Sequence, residues 1–98
     1  MTFDIIEDGG KTTIKIEGRI DTQTAPQLEE GIMGTVEKAA DLTVDLADVE
    51  YISSSGLRLL LAMQKIMAKQ GTMVVSGAND EIKEVFDITG FSDILTLV

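Results

Sequence analysis

The chain has 98 residues, 44% of them apolar, which suits one domain built on one core. It contains neither cysteine nor histidine, which excludes disulfides, cysteine-based metal or redox sites, and the commonest general base and metal ligand. With 8 basic and 17 acidic residues the formal net charge is −9; such a surface repels nucleic-acid phosphates and anionic lipid, aids solubility, and suits a protein partner with a basic face.

The first residues, Met1-Thr2-Phe3-Asp4, lack the basic stretch and apolar run of a signal peptide. The longest apolar stretch, Leu59–Met63, is too short to cross a bilayer. The expectation is a soluble cytoplasmic protein with no cofactor, no metal and no direct contact with nucleic acid or membrane.

Phe3, Ile5, Ile14 and Ile16 alternate with polar residues across an Asp8-Gly9-Gly10 turn. This predicts antiparallel strands over residues 2–7 and 11–17. Residues 18–22 read as a turn. A helix follows, with Thr24 as its cap, Pro26 in its first turn and Gln27 completing a Thr-x-x-Gln capping box. Ala25, Leu28, Ile32, Val36 and Ala39 recur at helical spacing, Glu29 and Glu30 lie early and Lys38 late. Gly31 and Gly34 weaken this helix by about 1 kcal/mol each relative to alanine and point to close packing against the sheet.

Leu42, Val44 and Leu46 predict a third strand, and residues 47–53 read as a connector. A core helix over about 55–70 carries Leu57, Leu60, Met63 and Met67 on one side and Arg58, Lys65 and Lys69 on the other. Gly71 ends it, and residues 72–76 read as a buried strand. Asn79 caps a third helix whose Ile82, Val85, Phe86 and Thr89 share a face, with Gly90 as its stop. Residues 95–98 suit a last edge strand. The order ββαβαβα implies a single α/β domain over residues 1–98, a mixed four- to five-stranded sheet with helices packed on it.

The segment richest in chemistry is Ser53-Ser54-Ser55-Gly56, a strand-to-helix turn opening the core helix. The first N–H groups of a helix have no intrahelical partners and the dipole is positive there. Such an end stabilises an anion, including a phosphate held covalently on serine. The same serines also make ordinary caps.

The stretch Val44-Asp45-Leu46-Ala47-Asp48-Val49-Glu50-Tyr51-Ile52-Ser53-Ser54-Ser55-Gly56-Leu57 resembles the signature of the STAS domain family, that of the bacterial anti-sigma factor antagonists. Gly18-Arg19-Ile20-Asp21 with Thr24-Ala25-Pro26-Gln27-Leu28, and the tail from Asn79 to Thr89-Gly90-Phe91, resemble its other landmarks in the same order. The resemblance implies a STAS-like fold and a protein-binding role. It implies that Ser54 is phosphorylated by an anti-sigma factor that is also a serine kinase. The unphosphorylated form would bind that kinase and release its sigma factor, and the phosphorylated form would not bind. Partner contact would involve Asp21, Ser53, Ser54, Ser55, Gly56 and Arg58.

Two features depart from the family pattern. Ser53 stands where the family has aspartate, which leaves three serines in a row. Family members also usually run on into a further strand and a closing helix, whereas this sequence stops at Val98 and is expected to leave an apolar edge uncovered. Asp21 reads equally well as a turn residue. Arg58 reads either as an ordinary solvated cation or as a side chain that reaches back to a phosphate on Ser54. A STAS scaffold without phosphorylation, in a stress-signalling or transport complex, is the alternative role. Catalysis is not expected, because no Gly-rich phosphate loop with a lysine is present.

Overall fold

The computed structural model describes every residue from Met1 to Val98. The elements are β1 (Thr2–Asp8), β2 (Lys11–Ile20), α1 (Thr24–Lys38), β3 (Asp41–Ile52), α2 (Ser54–Gln70), β4 (Thr72–Ser76), α3 (Asp80–Thr89) and a short 3₁₀ turn at Phe91–Asp93. One four-stranded sheet runs in the order β1-β2-β3-β4. β1 pairs antiparallel to β2, and β2, β3 and β4 are parallel neighbours.

The register places Ile14, Val44 and Val75 in one row, with Leu42 beside Met73 in the next. α1 buries Leu28, Ile32 and Val36, and α2 buries Leu57, Leu60, Met63 and Met67, in the same cluster. Each such aliphatic side chain taken from water stabilises the fold by about 1.5–3 kcal/mol. The opposite face is polar, with Thr13 beside Thr43 and Lys15 beside Asp45.

Several boundaries differ from those read in the sequence. β2 continues through Gly18 to Ile20 instead of turning at residue 18, and β3 continues to Ile52 with no connector over 47–53. The reason is a pair of register shifts. Lys15 opposes Asp45 but Glu17 opposes Asp48, and Gly18 opposes Val49 but Arg19 opposes Tyr51. Each shift leaves one extra residue on β3, as a β-bulge does. The buried positions therefore step by three, from Leu46 to Val49 to Ile52, and the two-residue alternation that marks a strand disappears.

The start of α1 also differs. Thr24 does not open a capping box with Gln27. Asp21 does so with Thr24: its Oδ1 accepts the N–H groups of Gln23 and Thr24, both at 3.0 Å, and the Asp21 N–H donates back to Thr24 Oγ1 at 2.8 Å. Glu29 and Glu30 consequently lie beyond the first turn, while Lys38 does occupy the last. Gly31 packs against the Phe3 ring, where a methyl group would overlap it, but Gly34 faces open space.

At the far edge the tail makes no fifth strand, only a single parallel bridge. The Val75 N–H donates to the Thr96 carbonyl at 2.8 Å and the Val98 N–H to the Val75 carbonyl at 3.0 Å. The β4 edge is thus partly covered rather than open. α3 starts as expected, with Asn79 Oδ1 accepting the Ile82 N–H at 2.8 Å, and ends at Gly90 in the left-handed region, φ 82°. No helix is long and apolar enough to cross a membrane.

Candidate functional site

Two strand-to-helix junctions meet at one end of the sheet. β2 ends at Ile20 and leads through Asp21 into α1; β3 ends at Ile52 and leads through Ser53 into α2. Ile20 and Ile52 are register partners, and the Ser53 N–H donates to the Ile20 carbonyl at 2.8 Å. In open α/β sheets, ligands bind outside the carboxyl ends of the strands, and this is that end of β2 and β3.

Gly56 is what lets α2 begin here. It is buried, and a Cβ on it would lie 2.5 Å from Ile52 Cγ1 and 2.8 Å from Ile20 Cγ2. Any side chain at this position would push the helix start off the strand ends. Gly56 thus sets where the three serines stand relative to the strand ends.

The serines have three different environments. Ser53 is the N-cap residue, with extended backbone, but its hydroxyl makes no cap bond, and its Oγ is buried without a hydrogen-bond partner in the chain. Ser54 is exposed. Ser55 is half-buried and accepts a hydrogen bond from Arg58 Nη2 at 3.1 Å. The first helical N–H to bond backwards is that of Leu57, to the Ser53 carbonyl at 3.0 Å. The N–H groups of Ser54, Ser55 and Gly56 precede it and are left without a side-chain cap.

Arg58 therefore lies against Ser55 and not Ser54. It turns toward a recess of about 260 Å³ between the helices, lined by Ala25, Pro26 and Glu29 of α1 and by Ser55, Arg58 and Leu59 of α2. Asp21 is half-buried at the neighbouring junction. The Thr24 N–H, and with it the Gln23 N–H, the Thr24 hydroxyl and the nearby Arg19, hold its carboxyl below the ordinary aspartate range, against a smaller opposing effect of burial. No group of three or more acidic side chains gathers to hold a metal ion.

The Asp21 cap has a pH signature. A carboxylate whose folded value is depressed stabilises the fold above its ordinary range, and that stabilisation is lost as pH falls through the folded value. Asp21→Ala is expected to lower Tm at neutral pH, with the gap to the parent chain closing below about pH 4. Thermal unfolding followed from about pH 2 to about pH 7 checks this. A gap that stays constant throughout would rule out the carboxylate as the cap.

Arg19 and Tyr51 face each other across β2 and β3, with the guanidinium carbon 4.3 Å from the ring centroid. The second bulge creates that pairing, so no spacing in the sequence announces it.

The STAS domain model matches residues 2–98. The chain belongs to the STAS domain family. It is 33% identical over 98 residues to the anti-sigma-B factor antagonist of Bacillus subtilis (strain 168), covering 99% of this chain and 90% of that one. The anti-sigma-B factor antagonist of Listeria monocytogenes is 34% identical over 86 residues, covering 86% and 75%. The crystal structure of an anti-sigma factor antagonist from Mycobacterium paratuberculosis superposes with a TM-score of 0.90 at 28% identity, over 98% of this STAS domain and 83% of that chain. The fold class expected from the sequence and the family resemblance both agree with these relatives.

Proposed function

We propose that this STAS domain is an anti-sigma factor antagonist, a cytoplasmic binding module and not an enzyme, and that phosphorylation of Ser54 switches it off. The unphosphorylated chain captures an anti-sigma factor with the end of the sheet where Asp21 and Ser53–Gly56 meet, and so frees a sigma factor for transcription. The names of the Bacillus and Listeria relatives support the partner class.

The observation that carries the switch is the contrast among the three serines. Only Ser54 is exposed, at the uncapped start of a 17-residue helix, while the Ser53 hydroxyl is buried and Ser55 is engaged by Arg58. The chain has no histidine to activate a serine, so the reaction belongs to the partner. A serine kinase would transfer the γ-phosphoryl group of ATP to Ser54 Oγ, releasing ADP and the hydroxyl proton. The product adds about −1.5 to −2 charges at the centre of the docking face. The open N–H groups of α2 make the modified chain itself stable, so the charge acts on the partner and not on the fold.

The reading is tested by incubating the purified protein with lysate of its own organism and ATP, then locating phosphate by fragment-ion mass spectrometry. Phosphate on Ser54, with loss of the captured anti-sigma factor, is the expected result. A chain that captures a partner yet stays unmodified would instead establish the scaffold role, which Ser53 in place of aspartate favours.

A further inference from the structure

Beside the serines, on the α3 side, the chain forms a second recess that the phosphorylation switch does not use. It has a volume of about 150 Å³ and is lined by Glu50, Tyr51 and Ile52 at the end of β3 and by Glu81, Ile82 and Val85 of α3. Ile52, immediately before Ser53, and Ile82 are buried and form its floor; Val85 is half-buried, and Tyr51 is 42% exposed. Glu50 and Glu81 are both exposed, and neither forms an ion pair within the chain, whose single salt bridge is Lys15–Asp48 at 3.5 Å.

We propose that this recess receives an arginine side chain of the protein partner. The volume is half the lower limit of about 300 Å³ for sites that enclose drug-sized molecules, so one side chain fits where a metabolite does not. Its chemistry is divided as an arginine is divided. The apolar floor and the Tyr51 ring suit the methylene stem and the flat guanidinium, and the two carboxylates suit the fork of N–H donors. Lysine would offer only a point charge to the two acids. The Tyr51 ring already accepts a guanidinium, that of Arg19 at 4.3 Å, and Arg19 is not among the residues that line the recess. A net charge of −9 draws basic surfaces to this chain from a distance.

Hydrogen bonds anchor the α3 wall of the recess to β3. Asn79 caps α3 and also donates from Nδ2 to the Val49 carbonyl at 3.3 Å, which fixes the start of α3 against the second bulge of β3. Glu50 is the extra residue of that bulge. The irregularity that hides β3 in the sequence is thus what brings a carboxylate to the rim of the recess. That the arginine belongs to an anti-sigma factor rests on the function proposed above; the chemistry of the recess does not.

The experiment separates the two. The ¹⁵N-labelled chain is titrated with the capped peptide Gly-Gly-Arg-Gly-Gly and, in parallel, with the same peptide carrying citrulline, the uncharged near-isostere of arginine. Amide shifts concentrated on residues 50–52 and 81–85, with an apparent affinity about tenfold or more above that of the citrulline peptide, are expected, together with a similar loss in the doubly substituted chain E50Q/E81Q. Both glutamates are exposed, and the citrulline comparison needs no variant, so a misfolded variant would not obscure the result. Shifts spread over acidic residues elsewhere, such as Asp4, Asp8 and Asp93, or equal binding of the two peptides, would overturn the proposal. If an anti-sigma factor is captured but E50Q/E81Q retains full affinity, the recess reading fails and the binding role stands. If arginine shifts localise here but no anti-sigma factor is captured, the reverse holds.

Discussion

Ser54→Glu is expected to abolish capture of the anti-sigma factor while leaving the fold slightly more stable. A carboxylate buried unpaired in an interface costs about 2–5 kcal/mol, which is roughly a 30-fold to several-thousand-fold loss of affinity. At an exposed helix N-terminus the same carboxylate stabilises the free chain by about 0.3–1 kcal/mol, because Ser54 starts α2 and its neighbouring N–H groups have no side-chain cap. The two effects have opposite sign, so binding and unfolding measured on one variant distinguish a blocked interface from a damaged protein. Ser54→Ala should bind as the parent does and resist phosphorylation. Ser55→Glu places its charge beside Arg58, which already touches Ser55 at 3.1 Å, and is expected to weaken binding less. Equal binding by Ser54→Glu and the parent chain, measured by calorimetry, would remove Ser54 as the switch.

How far the sequence carried this reading depended on whether a signal was periodic or local. The order of strands and helices was legible because Leu28, Ile32 and Val36, or Leu42, Val44 and Leu46, repeat at the periods of their elements. The second half of β3 was not, since its two bulges replace a step of two by steps of three. Caps are weaker signals still. Asn79 was recognisable even beside Asp80, because both lie directly before the apolar spacing of Ile82, Val85 and Phe86, but Asp21, Thr22 and Thr24 all favour a helix start across a wider window, and only the geometry selects Asp21.

The site followed the same rule. Ser53–Gly56 stood out because a run of serines before an apolar helix is contiguous in the chain. That only one of the three serines is exposed depends on the burial of the Ser53 hydroxyl and on the Arg58 bond to Ser55, which spacing does not encode. Arg58 lies four residues beyond Ser54, close enough for contact on a helix face, yet it bonds to Ser55 at i−3. The recess at Glu50 and Glu81 joins residues far apart in the sequence and had no linear signal at all.

α3 is the element on which the recess depends, and Phe86→Ala tests its attachment. Phe86 is fully buried and heads the large side chains of the core. The helix buries only Ile82 besides, with Val85 half-buried and Ile88 turned outward at 77% exposure. Truncating Phe86 removes its transfer free energy and leaves a cavity, together about 3–5 kcal/mol. That is a large share of the roughly 5–15 kcal/mol by which a domain of this size is stable. Urea unfolding should show the midpoint displaced downward with the slope little changed, or no folded state at 37 °C in the severe case. Phe86→Leu keeps most of the volume and is expected to lose less, which provides a folded variant for the binding assay. Because α3 carries Glu81 and Val85 while Ser54 lies on α2, a loosened α3 should blunt the arginine-peptide shifts before it affects phosphorylation of Ser54. Hydrogen exchange on Phe86→Leu gives the check: protection should fall first over residues 80–89 and persist over β2, β3 and α2. Uniform loss across all elements would mean that α3 and the sheet open as one unit and that the recess cannot be uncoupled from the serine switch.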